Sequence, residues 1–347
     1  MKKSHFWSVC AAVFFFVVII SGCSSNSPSA PSAPVKTLSD PFTWKQLTVT
    51  NPFTPADWND AVVFNNKMWL IGGRKIGGEI IAEVWSSPDG ADWTLVTGNA
   101  AFGPRFRHQA VAFGNKIWVI GGTPNNGSDE TALNDVWSST NGADWTLVTG
   151  NAAFAARYSF GACSYGGKMW VMGGCESDVG YTSLYNDVWS STDGVTWTQV
   201  TSAAAFPERC VFKPVIHNNK MYVIGGGRDS YETYLGMYYT WGDNDVWSSS
   251  NGADWEQLTG NAGFSPRTAL TAFSADGRLF AGFGYTSNEM DDIWYSDNGK
   301  LWTLISRDIT GTPRFRARAL VFNGRAWIIG GSSCDEGCAL AEVWYAD

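Results

Sequence analysis

Histidine is nearly missing from this chain, with three in 347 residues. Charged side chains are also scarce at 16%, below the usual quarter, and the balance is acidic: 24 Lys and Arg against 32 Asp and Glu. Long apolar runs are missing too, the stretch from Ala11 to Ile20 falling well short of the roughly eighteen residues of a membrane span. Each shortage removes a class of function. An acidic chain lacks the net basic footprint that phosphate neutralisation demands, so nucleic-acid binding is not expected. With few histidines, and cysteines at no zinc-like spacing, neither a metal nor a cofactor is expected. What the chain has instead is 38 glycines, 19 tryptophans and an apolar share of 44%. Such a composition is neither disordered nor coiled coil, and its many turn-forming residues point to an all-β fold of short strands.

The first residues read as a leader. Lys2 and Lys3 precede the apolar stretch, which runs into Ile20-Ser21-Gly22-Cys23. A basic start, a short apolar run and small residues are the order of an export signal. Ile-Ser-Gly-Cys resembles a bacterial lipoprotein box, which implies cleavage after residue 22 and acylation, of the palmitate class, at Cys23. Ser24 follows in place of Asp, which by the same resemblance implies the outer membrane of a bacterial envelope. Residues 23–41 are rich in Ser, Pro and Ala, cannot pack a core, and read as a tether. Losing Lys2 and Lys3 leaves 22 basic against 32 acidic residues, a net charge of −10. The expected organisation is a signal peptide over 1–22, an anchored tether over 23–41 and one folded domain over 42–347.

From about residue 41 onward the sequence repeats at intervals of about fifty residues. An aromatic stands three residues before a Gly-Gly pair (Trp69, Trp118, Trp170, Tyr222, Phe280 and Trp327), with Phe283-Gly284 replacing the pair in the fifth copy. A second aromatic follows in Glu-Val-Trp, Asp-Val-Trp or Asp-Ile-Trp: Trp85, Trp137, Trp189, Trp247, Trp294 and Trp344. A third comes eight residues later (Trp93, Trp145, Trp197, Trp255 and Trp302), and an arginine twelve beyond that (Arg105, Arg157, Arg209, Arg267 and Arg314). The third aromatic of the last copy lies at the other end of the chain, where Trp44 is followed twelve residues on by Ala56 in the arginine's place. Each copy accommodates four short strands joined by turns such as Gly114-Asn115 and Asn141-Gly142. Six four-stranded copies, permuted so that the Trp44 strand completes the last, make a six-bladed β-propeller, a ring without open edges. The three aromatic positions absorb four, six and six tryptophans; Trp7 belongs to the leader, and only Trp58 and Trp241 are left over.

The Arg, Gly-Gly, Asn-Asp-Val-Trp, Trp pattern resembles the Kelch repeat of Kelch and galactose-oxidase-like propellers. The turn ending at Trp197 is also similar to the Asp-box of sialidase propellers, a structural turn. Copper oxidases that share the repeat use a histidine pair with tyrosines and a cysteine crosslink. That constellation has no counterpart among these residues, so oxidase chemistry is not carried over and catalysis is not the leading expectation.

All variation in length falls between the second and third strands, at 13, 16, 16, 22, 11 and 14 residues from first glycine position to tryptophan. Insertions gathered on one face of a repeat scaffold mark its binding face. The longest, in the fourth copy, carries Arg228, Tyr238, Tyr239 and Trp241, side chains suited to sugar rings or to a protein partner. The repeated arginines reach the same face. They read chiefly as scaffold that braces loop carbonyls, a cationic ring around the channel mouth being the alternative. Arg107, Arg316 and Arg318 stand outside that repeat and are the better candidates for holding a carboxylate or sulfate. His108, three residues after Arg105, is the one candidate general acid or base, whereas His217 replaces an inner-strand aromatic and is expected to be structural. Cys334 with Cys338, and Cys175 with Cys210, are candidate disulfides in an exported protein; Cys163 takes the place of Val, Phe or Leu and is expected to be buried.

These observations together lead to the expectation of a monomeric, lipid-anchored propeller that binds an unknown protein or acidic carbohydrate on its variable face. The alternative is a sugar-acid epimerase or mutarotase, through the resemblance to Kelch-like sialic acid epimerases, with Arg105, Arg107, His108, Glu208 and Arg209 available. With Cys23 as the anchor, Cys23→Ala abolishes radiolabelled palmitate incorporation and moves the protein from the membrane to the soluble envelope fraction; labelling that survives the substitution would contradict it.

Overall fold

The computed structural model of the protein describes residues 43–124, 131–176, 183–232, 237–333 and 338–346. They form six antiparallel blades of four strands each, with no helix among the described residues. Blade one runs through Asp60–Phe64, Lys67–Lys75, Ile80–Ser87 and Thr94–Thr97 from the channel outward. The other inner strands are Gln109–Phe113, Gly161–Tyr165, Val215–His217, Thr271–Ala275 and Arg318–Phe322, and neighbouring inner strands meet in a closed ring. In blade six, Val343–Ala346 pairs with Trp44–Leu47, Trp44 opposite Ala346 and Leu47 opposite Val343. The N-terminal strand thus closes the ring as the repeat register requires.

The hairpin that opens each blade turns on two left-handed residues: Asn65-Asn66, Gly114-Asn115, Gly166-Gly167, Asn218-Asn219, Asp276-Gly277 and Asn323-Gly324. Positive φ at both positions is the type I′ signature that matches strand twist, which explains why only Gly, Asn and Asp occur there. At the other end of the second strand, a Cβ added to Gly173 would lie 2.8 Å from the Arg209 carbonyl oxygen and 2.9 Å from the Phe212 ring. The glycine is needed because the next blade's backbone passes directly over it.

The repeated arginines form the same buried unit in five blades. Arg157 reaches both carboxylate oxygens of Asp187, at 2.6 and 3.0 Å, and the Gly173 carbonyl at 2.9 Å. The Trp189 indole donates to the same carboxylate at 2.7 Å. Arg209 repeats this with Asp245 and Trp247, Arg105 with Asp135 and Trp137, Arg267 with Asp292 and Trp294, and Arg314 with Glu342 and Trp344. One carboxylate therefore gathers a guanidinium from the strand that enters the blade and an indole from the third strand. The reading of these arginines as scaffold holds. Blade one, with Ala56 in the arginine's place, substitutes Lys75, 3.3 Å from Glu83, which also accepts the Trp85 indole at 2.8 Å.

Tryptophans seal the blades to one another. The turn glycine before each fourth strand lies under the second-strand aromatic of the preceding blade: Gly142 under Trp69, Gly194 under Trp118, Gly252 under Trp170, Gly90 under Trp327. Phe154 meets Trp197, and Phe206 meets Trp255, edge-on at 5.1 and 5.0 Å. The fourth copy departs from expectation. Its long insertion is not a loop over the face but a continuous extension of two strands, Lys220–Glu232 and Met237–Ser249. Their backbone register sets Arg228 opposite Trp241 and Tyr231 opposite Tyr238, in segments where Tyr231, Tyr238, Tyr239, Thr240 and Trp241 are strand-favouring residue types.

Removal of one partner from a fully buried pair strands the other charge. Arg157→Ala should therefore lower unfolding free energy by about 3–5 kcal/mol, whereas Lys75→Ala, at a side chain 29% exposed, should cost less than about 1 kcal/mol. Denaturant titration of both variants checks this, and equal losses would contradict the assignment.

Candidate functional site

Two residues after each repeat arginine the chain makes a left-handed step toward the channel. Trp58, Arg107, Ser159, Val211, Ala269 and Arg316 have φ between 52° and 61°, and none is glycine. Backbone hydrogen bonds between neighbouring blades explain why the strain is tolerated. Arg107 N donates to Trp58 O at 3.1 Å, Ser159 N to Arg107 O at 2.9 Å, Val211 N to Ser159 O at 2.7 Å and Arg316 N to Ala269 O at 3.1 Å. Each hydrogen bond ties one blade to the one before it, and the left-handed conformation is what aims the N–H sideways. All six residues line one cavity at the channel mouth, together with Gln109, Lys213 and Arg318, and the space within it and at its opening is about 420 Å³.

Four cations thus face this cavity: Arg107, Lys213, Arg316 and Arg318. Two carboxylates touch them. Asp57 takes Arg316 at 3.0 Å and Arg74 at 3.1 Å; Asp60 takes Lys213 at 2.8 Å and lies 3.8 Å from Arg318 Nε. Burial by itself would raise the Asp60 carboxyl, but Lys213, Arg318 and the Ala110 N–H at 2.7 Å together hold it below the usual carboxylate range. Burial lowers the Arg318 guanidinium, against the pull of Asp60 and Asp57. Trp58 sits among the cations, with Arg107 Cζ 4.6 Å and Arg316 Cζ 4.0 Å from its ring. The mouth is a positive site, four charges against two, in a chain whose net charge is −8.

Arg107, Arg316 and Arg318, singled out from the sequence, are brought together here. They are not off the repeat: Arg107 and Arg316 share a register of their own, two places past the scaffold arginine, with Trp58. Sequence reasoning missed Trp58, Asp57, Asp60, Gln109 and Lys213. The signal was available in the leftover tryptophan and in the residue four past each arginine, where Asp60, Gln109, Lys213 and Arg318 align. The side chains of Arg228, Tyr238, Tyr239 and Trp241 lie outside the described residues, as does Cys334 and hence its pairing with Cys338. Cys175 and Cys210 do not pair. Both are buried, each filling its own place in an apolar cluster with Phe106 and Tyr158, and the Cys175 thiol donates to Tyr158 O at 3.7 Å. Cys163 is buried as expected, its thiol pushed up to about 12 by burial. Among the described residues no three His, Cys, Asp or Glu side chains gather as a metal would need.

The chain was compared with known proteins. The sequence profile described as the KLHDC2/KLHL20/DRC7 Kelch-repeats domain matches residues 9–226. No curated protein matches. Among solved structures the chain is similar to "Structure of YjhT", at a TM-score of 0.68 and 16% identity, over 85% of this chain and 95% of that one. At that identity the likeness speaks for the fold alone.

His108 does not reach the mouth. It stands three places past Arg105, where other blades have Phe160, Phe212, Leu270 and Ala317, and its ring wedges against Gly72, whose added Cβ would come within 2.8 Å. The position packs one blade onto the next, so the candidate acid or base is a filler. Burial lowers its pKa to about 3, helped by Arg105, Arg318 and Lys213 against Asp60. The unfolded chain, at about 6.5, takes up the proton first as pH falls. Stability is therefore complete above that value and declines toward pH 3. The His108 ring signals should stay fixed from pH 8 to 5 by NMR, and His108→Phe should flatten the acid-side loss of stability; a ring titrating near 6.5 would overturn the assignment.

Proposed function

The chain belongs to the KLHDC2/KLHL20/DRC7 Kelch-repeats domain family, and from that premise we propose that it is an exported, lipid-anchored binding module that holds the anionic groups of an acidic carbohydrate in its channel mouth. The observation that carries this reading is the convergence of Arg107, Lys213, Arg316 and Arg318 on one cavity of an acidic protein. Planar guanidinium groups match carboxylate and sulfate oxygens two at a time, and a local positive field draws anions in from solution. The leader, Cys23 and the Ser/Pro/Ala stretch support an envelope location. Nineteen residues, 23–41, span at most about 65 Å when fully extended.

A second reading, turnover of a sugar acid, draws on the two carboxylates beside those cations. Asp60, kept ionised behind the cavity-lining Lys213, is the group that would accept a proton. Proton exchange or mutarotation of sugar acids above the buffer rate, lost in Asp60→Asn, would support it over simple binding.

A glycan array probed with the mature propeller tests the leading reading. Uronate-bearing or sulfated glycans should bind over their neutral counterparts, weaken as salt rises, and lose at least about tenfold in affinity with Arg107→Glu. Equal binding of neutral and acidic glycans, or crosslinking in the envelope to acidic proteins alone, would overturn it.

A further inference from the structure

In the wall of the mouth, Trp58 Nε1, Gln109 Oε1 and Arg318 Nε have no hydrogen-bond partner among the described residues, Arg318 Nε keeping only an ion-pair approach to Asp60 at 3.8 Å. Trp58 and Gln109 are only 3% and 4% exposed. Elsewhere in blade one the indoles of Trp69, Trp85 and Trp93 all donate, to Phe64 O, Glu83 and Gly90 O, so the unmet indole belongs to the mouth and not to the blade. Buried polar groups left unmet are destabilising, and a ligand that meets them recovers that loss on binding. A side chain also bridges the channel. Lys213, from blade four, crosses to blade one and donates to Asp60 at 2.8 Å and to Ala61 O at 3.2 Å. The residues that carry the three unmet atoms line the same cavity as this lysine.

The three atoms differ in sense. Trp58 Nε1 and Arg318 Nε are donors and want oxygen lone pairs, whereas Gln109 Oε1 is an acceptor and wants an O–H. A simple carboxylate answers the first two and leaves Gln109 unmet. A neutral polyol answers Gln109 but brings no charge to the four cations. We propose that the mouth recognises an α-hydroxy carboxylate, the carboxylate held by Trp58, Arg318 and Lys213 and the neighbouring hydroxyl donating to Gln109. This rests on the anion-binding reading above and names the chemistry at the tip of the ligand.

Lactate and propionate have the same carbon skeleton and differ by the α-hydroxyl. Titrated into the mature full-length propeller at fixed ionic strength, one or other enantiomer of lactate should bind about tenfold more tightly than propionate. Gln109→Met, of similar length and without the acceptor, should bring lactate to the propionate level and leave propionate unchanged, with the thermal midpoint checking that the variant is folded. Arg107→Glu should weaken both. Equal binding of the two anions, or a lactate preference that survives Gln109→Met, overturns the hydroxyl assignment while the anion site stands. Tighter propionate overturns it as well, because the amide nitrogen would then face the ligand. Binding of neither anion removes the anion site itself.

Discussion

Everything in this propeller depends on one buried ion pair repeated around the ring. A carboxylate on the third strand holds an arginine from the segment that enters the blade, and an indole donates to the same carboxylate. Without the arginine the carboxylate would be an uncompensated charge in a dry interior; without the carboxylate the entering segment would have nothing to stop it sliding. The guanidinium also caps the carbonyl at the first position of the glycine pair, at 2.9 Å in blades three and four. Strand entry, glycine pair and third strand are thereby locked at one point.

That lock sets up the channel mouth. With the arginine held, the chain two residues later has one route toward the axis, the left-handed step shared by Trp58, Arg107, Ser159, Val211, Ala269 and Arg316. Inter-blade backbone hydrogen bonds link Trp58, Arg107, Ser159 and Val211 in one run and Ala269 with Arg316 in another, so the scaffold here is carried by main-chain groups and the side chains vary. Stability and specificity occupy adjacent residues of the same segment. The mouth also carries part of the final seam: Arg316 of blade six reaches Asp57 of blade one, and Arg318 approaches Asp60.

The fold was almost wholly legible in the amino-acid order, for a physical reason. Packing between blades needs an aromatic, a glycine and an arginine at the same spacing each time, and a constraint met six times leaves a visible period. Even the replacement of an arginine by Ala56 announced itself, although its remedy, Lys75 on Glu83, did not, because it comes from a different strand. The site was legible in part. Arg107, Arg316 and Arg318 stood out as surplus arginines near the variable face, but His108 stood out equally and is a wedge beneath Gly72. Two residues in succession point in opposite directions at that bend, one to the channel and one into the blade, and composition alone does not separate them. The expected bridge between Cys175 and Cys210 failed similarly: neighbouring blades do not place two thiols in contact merely because both lie on one face.

Residue order by itself determined the number of blades, the strands in each and the closure by Trp44, since all of these are contacts within a blade or between one blade and the next; the role of the repeated arginines waited on the buried carboxylates that they meet. Tertiary structure alone decided what the mouth contains. Lys213 and Asp60 are 153 residues apart and meet because blades one and four face each other across the channel. No local spacing encodes that meeting; the curvature of the closed ring does.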